Sequence, residues 1–570
     1  FPTNLVNPPL PLPHTRYSLL LPSSSNIHIA MAHNTFNLPH LVENIAQYLH
    51  PQDVSNCALV SQEWSTWFTP ELWAHIDIEN DIIRKGNGFA GLANNSIHIR
   101  EITSCSTESL PRINALLPLV NLRLFEFVSN EVVSVTDTLI VNFLPLMPSL
   151  QCLIMRTAGL RQDENSGLFL QALRTHPTLR RLDLRPFEIP YFMFMQELME
   201  ACTNYESLTL EVSGPLSINS MQDEEDYDSA CKAIELIAGM RARDLTIRPL
   251  RSLPYIELSI LGRCPQLERL KLLGVDDPLA LQNLSVLFGN NVCPMLKSFC
   301  LGKVNSPSVE KDAAVAFMVR ALGNVNNNVN SMEIDEAEVE IKGLDTFALG
   351  YRCLRAIGTQ LCQGLIQFHG RTLVCLEFGL NPRMSFQDLV ECANGLSSLR
   401  SLQAVVDLTE KLNQDAEAVT QALGKEWSCL GLEKLSIRLF MFKKPRNFVD
   451  PQWDVSAVGV CTRYLFVEMG RLVKLKELYF QCSTNLLKLQ QGYLSDLSEL
   501  KQLTVLSVEE GPNIILDGDD ATWMIENWPR LVEFEIMMKR NKKRGPSLAN
   551  FRNSLTGQRP WLAVKVKYTD

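Results

Sequence analysis

The chain has 570 residues, a length that suits three to four globular domains or one long repeat array. Hydrophobic residues make up 46% and charged residues 20%, which excludes wholesale disorder and collagen-like or coiled-coil rods. A formal net charge of -10 and a pI of about 5.6 argue against a protein-wide nucleic-acid footprint. No apolar run approaches the roughly 18 residues that cross a bilayer. The fifteen cysteines are scattered, with no CxxC or CxC pair to hold zinc. They read as small buried hydrophobes of a reducing compartment, which places the protein in the cytoplasm, the nucleus or both.

Residues 1–35 carry Pro8-Pro9-Leu10-Pro11-Leu12-Pro13 and Ser23-Ser24-Ser25. The only apolar run, Leu19-Leu20-Leu21, is closed by Pro22 and is too short for a secretory signal. The stretch is expected to carry no fold. Two readings of it stand: a polyproline ligand, or an upstream extension of a protein that starts at Met31.

Residues 36–80 read as three short helices. Pro39 suits a first helical turn, and Leu41, Ile45, Tyr48 and Leu49 fall on one face. Pro51 opens a second helix carrying Val54, Cys57 and Ala58. Ser61 is an N-cap for a third, with Trp64, Trp67 and Phe68, and the period changes at Pro70. So much apolar surface on so few residues predicts a module that leans on a partner. The series Leu38-Pro39-x-Leu41, Ile45, Tyr48-Leu49, Asp53-Val54, Cys57, Val60-Ser61, Trp64 and Pro70-x-Leu72-Trp73 resembles an F-box over the whole of that motif. The resemblance implies docking onto the Skp-type adaptor of a cullin-RING ubiquitin ligase. Leu38, Pro39, Leu41, Ile45, Leu49, Val54, Cys57, Val60 and Trp64 would form or support the adaptor face.

Residues 81–95 contain Gly86-Asn87-Gly88-Phe89-Ala90-Gly91. This matches GxGxxG, but Asn94-Asn95-Ser96 breaks the helix that a dinucleotide site requires. The segment reads as a flexible linker.

From residue 96 to 570 the chain repeats itself. Pro-x-Leu-x-x-(Leu/Phe)-x-apolar recurs from Pro148, Pro177, Pro265, Pro294 and Pro529. The same pattern without proline recurs from Tyr205, Leu373, Leu432, Leu475 and Leu503, and weaker copies start at Leu122, Ala242, Val329 and Leu399. The L-x-x-L-x-L core resembles the leucine-rich repeat. Each unit reads as loop, helix, proline stop and strand. The expected fold is α/β: a short three-helix module, then an irregular solenoid, a horseshoe with a parallel inner sheet and outer helices. Residues 334–373 and 437–475 are expected to hold long insertions. Helix Pro546–Leu555, closed by Gly557, and strand Trp561–Tyr568 would cap the end. An F-box followed by irregular repeats resembles fungal-type F-box/leucine-rich-repeat proteins.

Strand side chains alternate faces, so the residue between the last two apolar positions of each unit points to the concave side. That column includes Glu126, Asp183, Lys271, Glu333, Glu377, Tyr479 and Glu535. It predicts an acidic centre line beside Arg156, Arg185, Arg248 and Arg438. Asp183, Lys271, Glu333, Glu377 and Tyr479 are the candidate substrate-binding residues, and the substrate would present a basic segment. No nucleophile–base constellation, cofactor motif or metal-ligand spacing is legible, so no catalytic, cofactor or metal residue is expected. Nor is nucleic acid or membrane expected as a partner. The resemblance implies a non-catalytic substrate receptor of an SCF-type ligase, and a plain interaction scaffold is the alternative. The acidic run Asp223–Asp228 reads as a solvated loop and Lys539–Arg544 as an exposed basic loop.

Overall fold

The computed structural model describes residues 38–79, 88–129, 132–134, 142–156, 159–161, 166–188, 192–213, 229, 231–237, 239–248, 259–275, 278–302, 309–324, 343–350, 354, 356–379, 383–408, 424–440, 455–482, 493–509, 516–539 and 546–569. The chain divides into two compact units, at Leu72/Trp73. Sequence expectations on residues 1–37, on the acidic run 223–228 and on 540–544 of the basic run lie outside the described residues.

The first unit is helical: α1 Leu38–Ala46, α2 Pro51–Ala58 and α3 Gln62–Ala74. Pro51 is at the first helical position, where its missing N–H is no loss. The Ser61 hydroxyl accepts the Trp64 N–H at 3.1 Å and caps α3. Pro70 does not end α3 as its sequence position suggests. It removes one backbone bond, to Thr66, while Phe68 is buried and Leu72 packs on the same cluster, which holds the helix together across it.

The second unit contains a 19-stranded, open, all-parallel sheet flanked by helices, a solenoid-like α/β arrangement. The strands come in chain order. They are β1 His75–Asp77, β2 Glu101–Cys105, β3 Leu124–Val128, β5 Cys152–Arg156, β7 Arg181–Glu188, β8 Ser207–Ser213 and β9 Asp244–Arg248. They continue as β10 Arg269–Leu272, β11 Ser298–Leu301, β12 Thr346–Leu349, β14 Cys375–Phe378, β16 Ser401–Asp407 and β17 Lys434–Phe440. The last are β18 Glu477–Cys482, β19 Val505–Glu509, β20 Glu533–Lys539 and β21 Ala563–Thr569. Two short strands, β13 Ala356–Ile357 and β15 Arg383–Ser385, extend the rungs of β12 and β14. A side ladder pairs β4 Val132–Ser134 with β6 Gly159–Arg161.

The repeat pattern has a local cause. In four of the five Pro-x-Leu copies, the residue before proline accepts the N–H of the leucine: Met147 from Leu150, Cys264 from Leu267, Cys293 from Leu296, and Trp528 from Leu531, at 3.0–3.2 Å. This is a β-turn with proline at its second position, where the ring's φ is already correct. The proline therefore shapes the entry to the strand as well as stopping the helix. In the fifth copy the His176 ring takes the Leu179 N–H instead.

Within each rung the two apolar strand residues enter one core that also takes the inner faces of the helices. Examples are Leu182 with Leu184, Leu270 with Leu272, and Leu478 with Phe480, all 3% exposed or less. The alternate residues lie on the opposite, polar face.

Several expectations are corrected. The rung between β11 and β14 is Thr346–Leu349, built on Leu344-x-x-Phe347-x-Leu349, and the expected copy at Val329–Ile334 lies outside the described residues. The expected 334–373 insertion therefore contains a rung. Two further rungs, β1 and β2, precede the first expected copy. Within the expected 81–95 linker, residues 88–95 are no simple linker. Gly88–Asn94 is a helix, Leu92 is fully buried, and a Cβ on Gly91 would lie 2.9 Å from the Trp73 ring. The last helix, Pro546–Gln558, continues through Gly557.

Close approach of backbones sets one further requirement. The Gly379 N–H donates to Leu349 O at 2.6 Å, and a Cβ there would sit 2.6 Å from the Gly350 carbonyl. Gly379→Ala is expected to cost about 1–3 kcal/mol in denaturant unfolding, as overpacking does. Gly289→Ala, with open space around it, is expected to cost nothing.

Candidate functional site

Two surfaces, one on each unit, carry the residues expected to meet partners. Among the described residues of the first unit, Val42, Val54 and Phe68 form a buried cluster, with Ala46, Leu49, Cys57, Ala58, Trp67 and Leu72 against it. Leu41 and Ile45 share a face of α1 but remain exposed, as do Tyr48 just beyond it and Leu59, Val60 and Trp64. Val60 is 64% exposed and Trp64 39%, values at odds with a finished core. The Trp64 ring stacks on Phe68 at 5.4 Å, so the outer face is anchored to the buried cluster.

The nine residues expected on this face therefore sort into groups. Val54 is core, Leu49 and Cys57 are half-buried, and Leu41, Ile45, Val60 and Trp64 face outward. Leu38 and Pro39 begin α1, and their side chains lie outside the described residues. Sequence reading missed Leu59, which follows the last residue of α2. Its apolar character next to Val60 was the available signal.

The second surface is the polar face of the long sheet. Strand register aligns Glu126, Ile154, Asp183, Thr209, Thr246, Lys271, Cys300 and Ala348 in one column. The column continues through Glu377, Gln403, Ser436, Tyr479, Ser507, Glu535 and Lys565. Asp183, Lys271, Glu377 and Tyr479 thus stand where expected. Glu333 lies outside the described residues, and Ala348 holds the position anticipated for it.

The acidic centre line is corrected by its neighbours. Asp183 takes Arg185 through two bonds of 2.6 Å. Glu126 pairs with Arg156 at 3.1 Å and Glu535 with Lys567 at 2.9 Å. Arg248 pairs with Glu211, and Asp244 with Arg269. Lys434–Glu477 at 3.1 Å, Arg438–Glu509 at 3.3 Å and Lys565–Glu533 at 2.8 Å continue the pattern. Acid and base alternate between rungs, so most of the charge is spent inside the face. Glu377 and Lys271 are exposed and, among the described residues, have no ion pair. The Cys375 thiol donates to Glu377 at 3.5 Å. Tyr479 lies under the Lys434 ammonium, 5.6 Å from the ring centre.

Burial sets the character of several titratable groups. The thirteen described cysteines are all free, and burial pushes the Cys264 and Cys293 thiols up to about 12, away from the reactive thiolate. His369 ends helix Thr359–His369 and is 1% exposed. Its Nδ1 accepts the Leu344 N–H at 3.1 Å and its Nε2–H donates to Val319 O at 3.1 Å, which ties two neighbouring repeats together. Among the described residues no cluster of three or more His, Cys, Asp or Glu could hold a metal ion. No described helix is long and apolar enough to cross a membrane. No family model matches the chain, and no curated protein matches it.

Burial lowers the His369 pKa to about 4, below the ordinary 6.5. Between those values the unfolded chain binds a proton that the folded ring refuses. The His369 contribution to stability is therefore full above pH 6.5 and is lost as pH drops toward 4, by about 3 kcal/mol. Urea titrations across this window are expected to show that loss, and a smaller one in His369→Gln.

Proposed function

We propose that the chain is the substrate receptor of an SCF-type ubiquitin ligase, a non-catalytic subunit that bridges an adaptor and a protein substrate. The observation that carries this reading is the exposed apolar set Leu41, Ile45, Val60 and Trp64 on a helical unit whose buried cluster is only three residues. Such a patch is the kind that a protein partner covers. It falls on the very residues that resemble an F-box, for which the partner is a Skp-type adaptor and, through it, a cullin.

On this reading the polar sheet face is the concave substrate surface. It offers charged, hydrogen-bonding and aromatic side chains in straight columns, an arrangement suited to an extended protein segment. Ubiquitin transfer would belong to other subunits. The receptor's contribution is proximity: a tethered substrate lysine meets the charged carrier at high effective concentration. Because Glu126, Asp183 and Glu535 are already ion-paired, a basic substrate segment is drawn chiefly to Glu377. The free cysteines agree with a reducing compartment, and the cytoplasm or nucleus is proposed.

The test is capture of a Skp-type adaptor and a cullin by the full chain. Ile45→Ala with Trp64→Ala is expected to weaken adaptor capture at least about tenfold, because buried aromatic anchors dominate interfaces. The melting temperature should fall only modestly, because Trp64 also stacks on Phe68, and Ile45→Ala alone should weaken capture with a smaller change. Adaptor capture without a cullin would favour the scaffold reading, and no adaptor at all would overturn both. For the substrate face, Glu377→Lys is expected to reduce substrate capture and its salt dependence while leaving adaptor capture unchanged.

A further inference from the structure

On the polar face, β18 and β19 carry two buried polar atoms that lack a partner. Ser507 is 1% exposed, yet its hydroxyl makes no hydrogen bond, and the Gln481 Oε1 is likewise unmatched. Both side chains are on the same face, because Leu478, Phe480, Leu506 and Val508 take the core positions between them. Tyr479 is in register with Ser507, and Gln481 with Glu509. Gln481 and Ser507 are therefore diagonal neighbours, with Cα atoms about 8 Å apart from strand spacing and rise.

Orphaned buried polar atoms cost stability and are rare in folded proteins. These two lie among groups that are matched. Glu535, beside Ser507, is held by Lys567, and Tyr479, on its other side, donates to Glu477 at 3.4 Å. Arg438 and Glu509 occupy the rungs on either side of Gln481 and pair across it. That pair roofs the glutamine. Arg438 is 31% and Glu509 16% exposed, so an incoming group reaches the glutamine only by displacing this pair.

We propose that Gln481 and Ser507 form a subsite for a primary amide, the side chain of Asn or Gln in an extended segment of a partner protein. The incoming amide N–H donates to Gln481 Oε1, and its carbonyl accepts the Ser507 O–H. A carboxylate has no N–H to give Gln481 Oε1, and an ammonium has no acceptor for the Ser507 O–H, so both are disfavoured here. The diagonal separation suits a two-atom head better than a single hydroxyl oxygen. This subsite rests on the reading of the sheet face as the substrate surface and gives that surface a side-chain preference.

The probe is a random linear peptide library selected on the immobilised full chain, followed by synthetic consensus peptides. Enrichment of Asn or Gln at one fixed position is expected. Changing that residue to Asp should weaken binding about tenfold, the loss expected when one side of a buried hydrogen-bonded pair goes unmet. Ser507→Ala and Gln481→Met should abolish the preference. Their melting temperatures should not fall, since each removes an orphaned atom, and a purely structural role would lower them. The same amide preference on both variants, a charged or hydroxyl residue at that position, or no enrichment because ordered water alone fills the site, would overturn the proposal. The outcome is separable from the ligase reading: failure of adaptor capture with amide selection intact removes the ligase and keeps the subsite, and the reverse removes only the subsite.

Discussion

The second unit depends on the parallel backbone ladder from β1 to β21. Each strand's N–H and C=O groups must be met by the next strand, and in a parallel pair they are met residue for residue. A slip of one residue would turn the leucines of a rung outward and its charges into the core. Register is therefore held by the core, and the core by register. The columns of the polar face are a by-product: once Leu182 and Leu184 face inward, Asp183 has no choice of position.

That constraint explains the chemistry of the two faces. The inner face is nearly uniform, with leucine, phenylalanine and isoleucine at the same two positions of each rung. The polar face is free to vary, and it does so in pairs, with an acid on one rung opposite a base on a neighbour. Pairs of this kind on a partly wet surface contribute at most about 1 kcal/mol each, so they do little for stability. Their larger effect is on the face's charge: they quench most of it and leave Glu377 and Lys271 exposed and, among the described residues, without an ion pair.

The first unit follows the opposite rule. Among its described residues it has no ladder, and its buried hydrophobic cluster is Val42, Val54 and Phe68. Its surface is therefore apolar where the sheet's is polar. The two units thus offer partners of different chemistry: one a hydrophobic helix face anchored by Trp64 on Phe68, the other a hydrogen-bonding sheet.

By itself the sequence determined the parallel repeat, its phase and most of the face column. The signals are local: proline in a turn, leucines at fixed spacing, and a side-chain period of two. Ser61 as a cap and Pro51 at a helix start were legible for the same reason. The tertiary structure decided what depends on neighbours distant in the chain. Phe347 replaces leucine in its rung, and only pairing with Phe299 and Leu376 reveals the strand. The charges of Glu126 and Asp183 are visible in the sequence, but their neutralisation is not, since Arg156 and Arg185 could have pointed to solvent. Whether an apolar residue of the first unit is core, like Val54, or surface, like Val60, was equally hidden, because burial is a property of what packs against a side chain. The orphaned atoms of Ser507 and Gln481 carry no sequence signal, since a missing hydrogen bond exists only once every neighbour has its place.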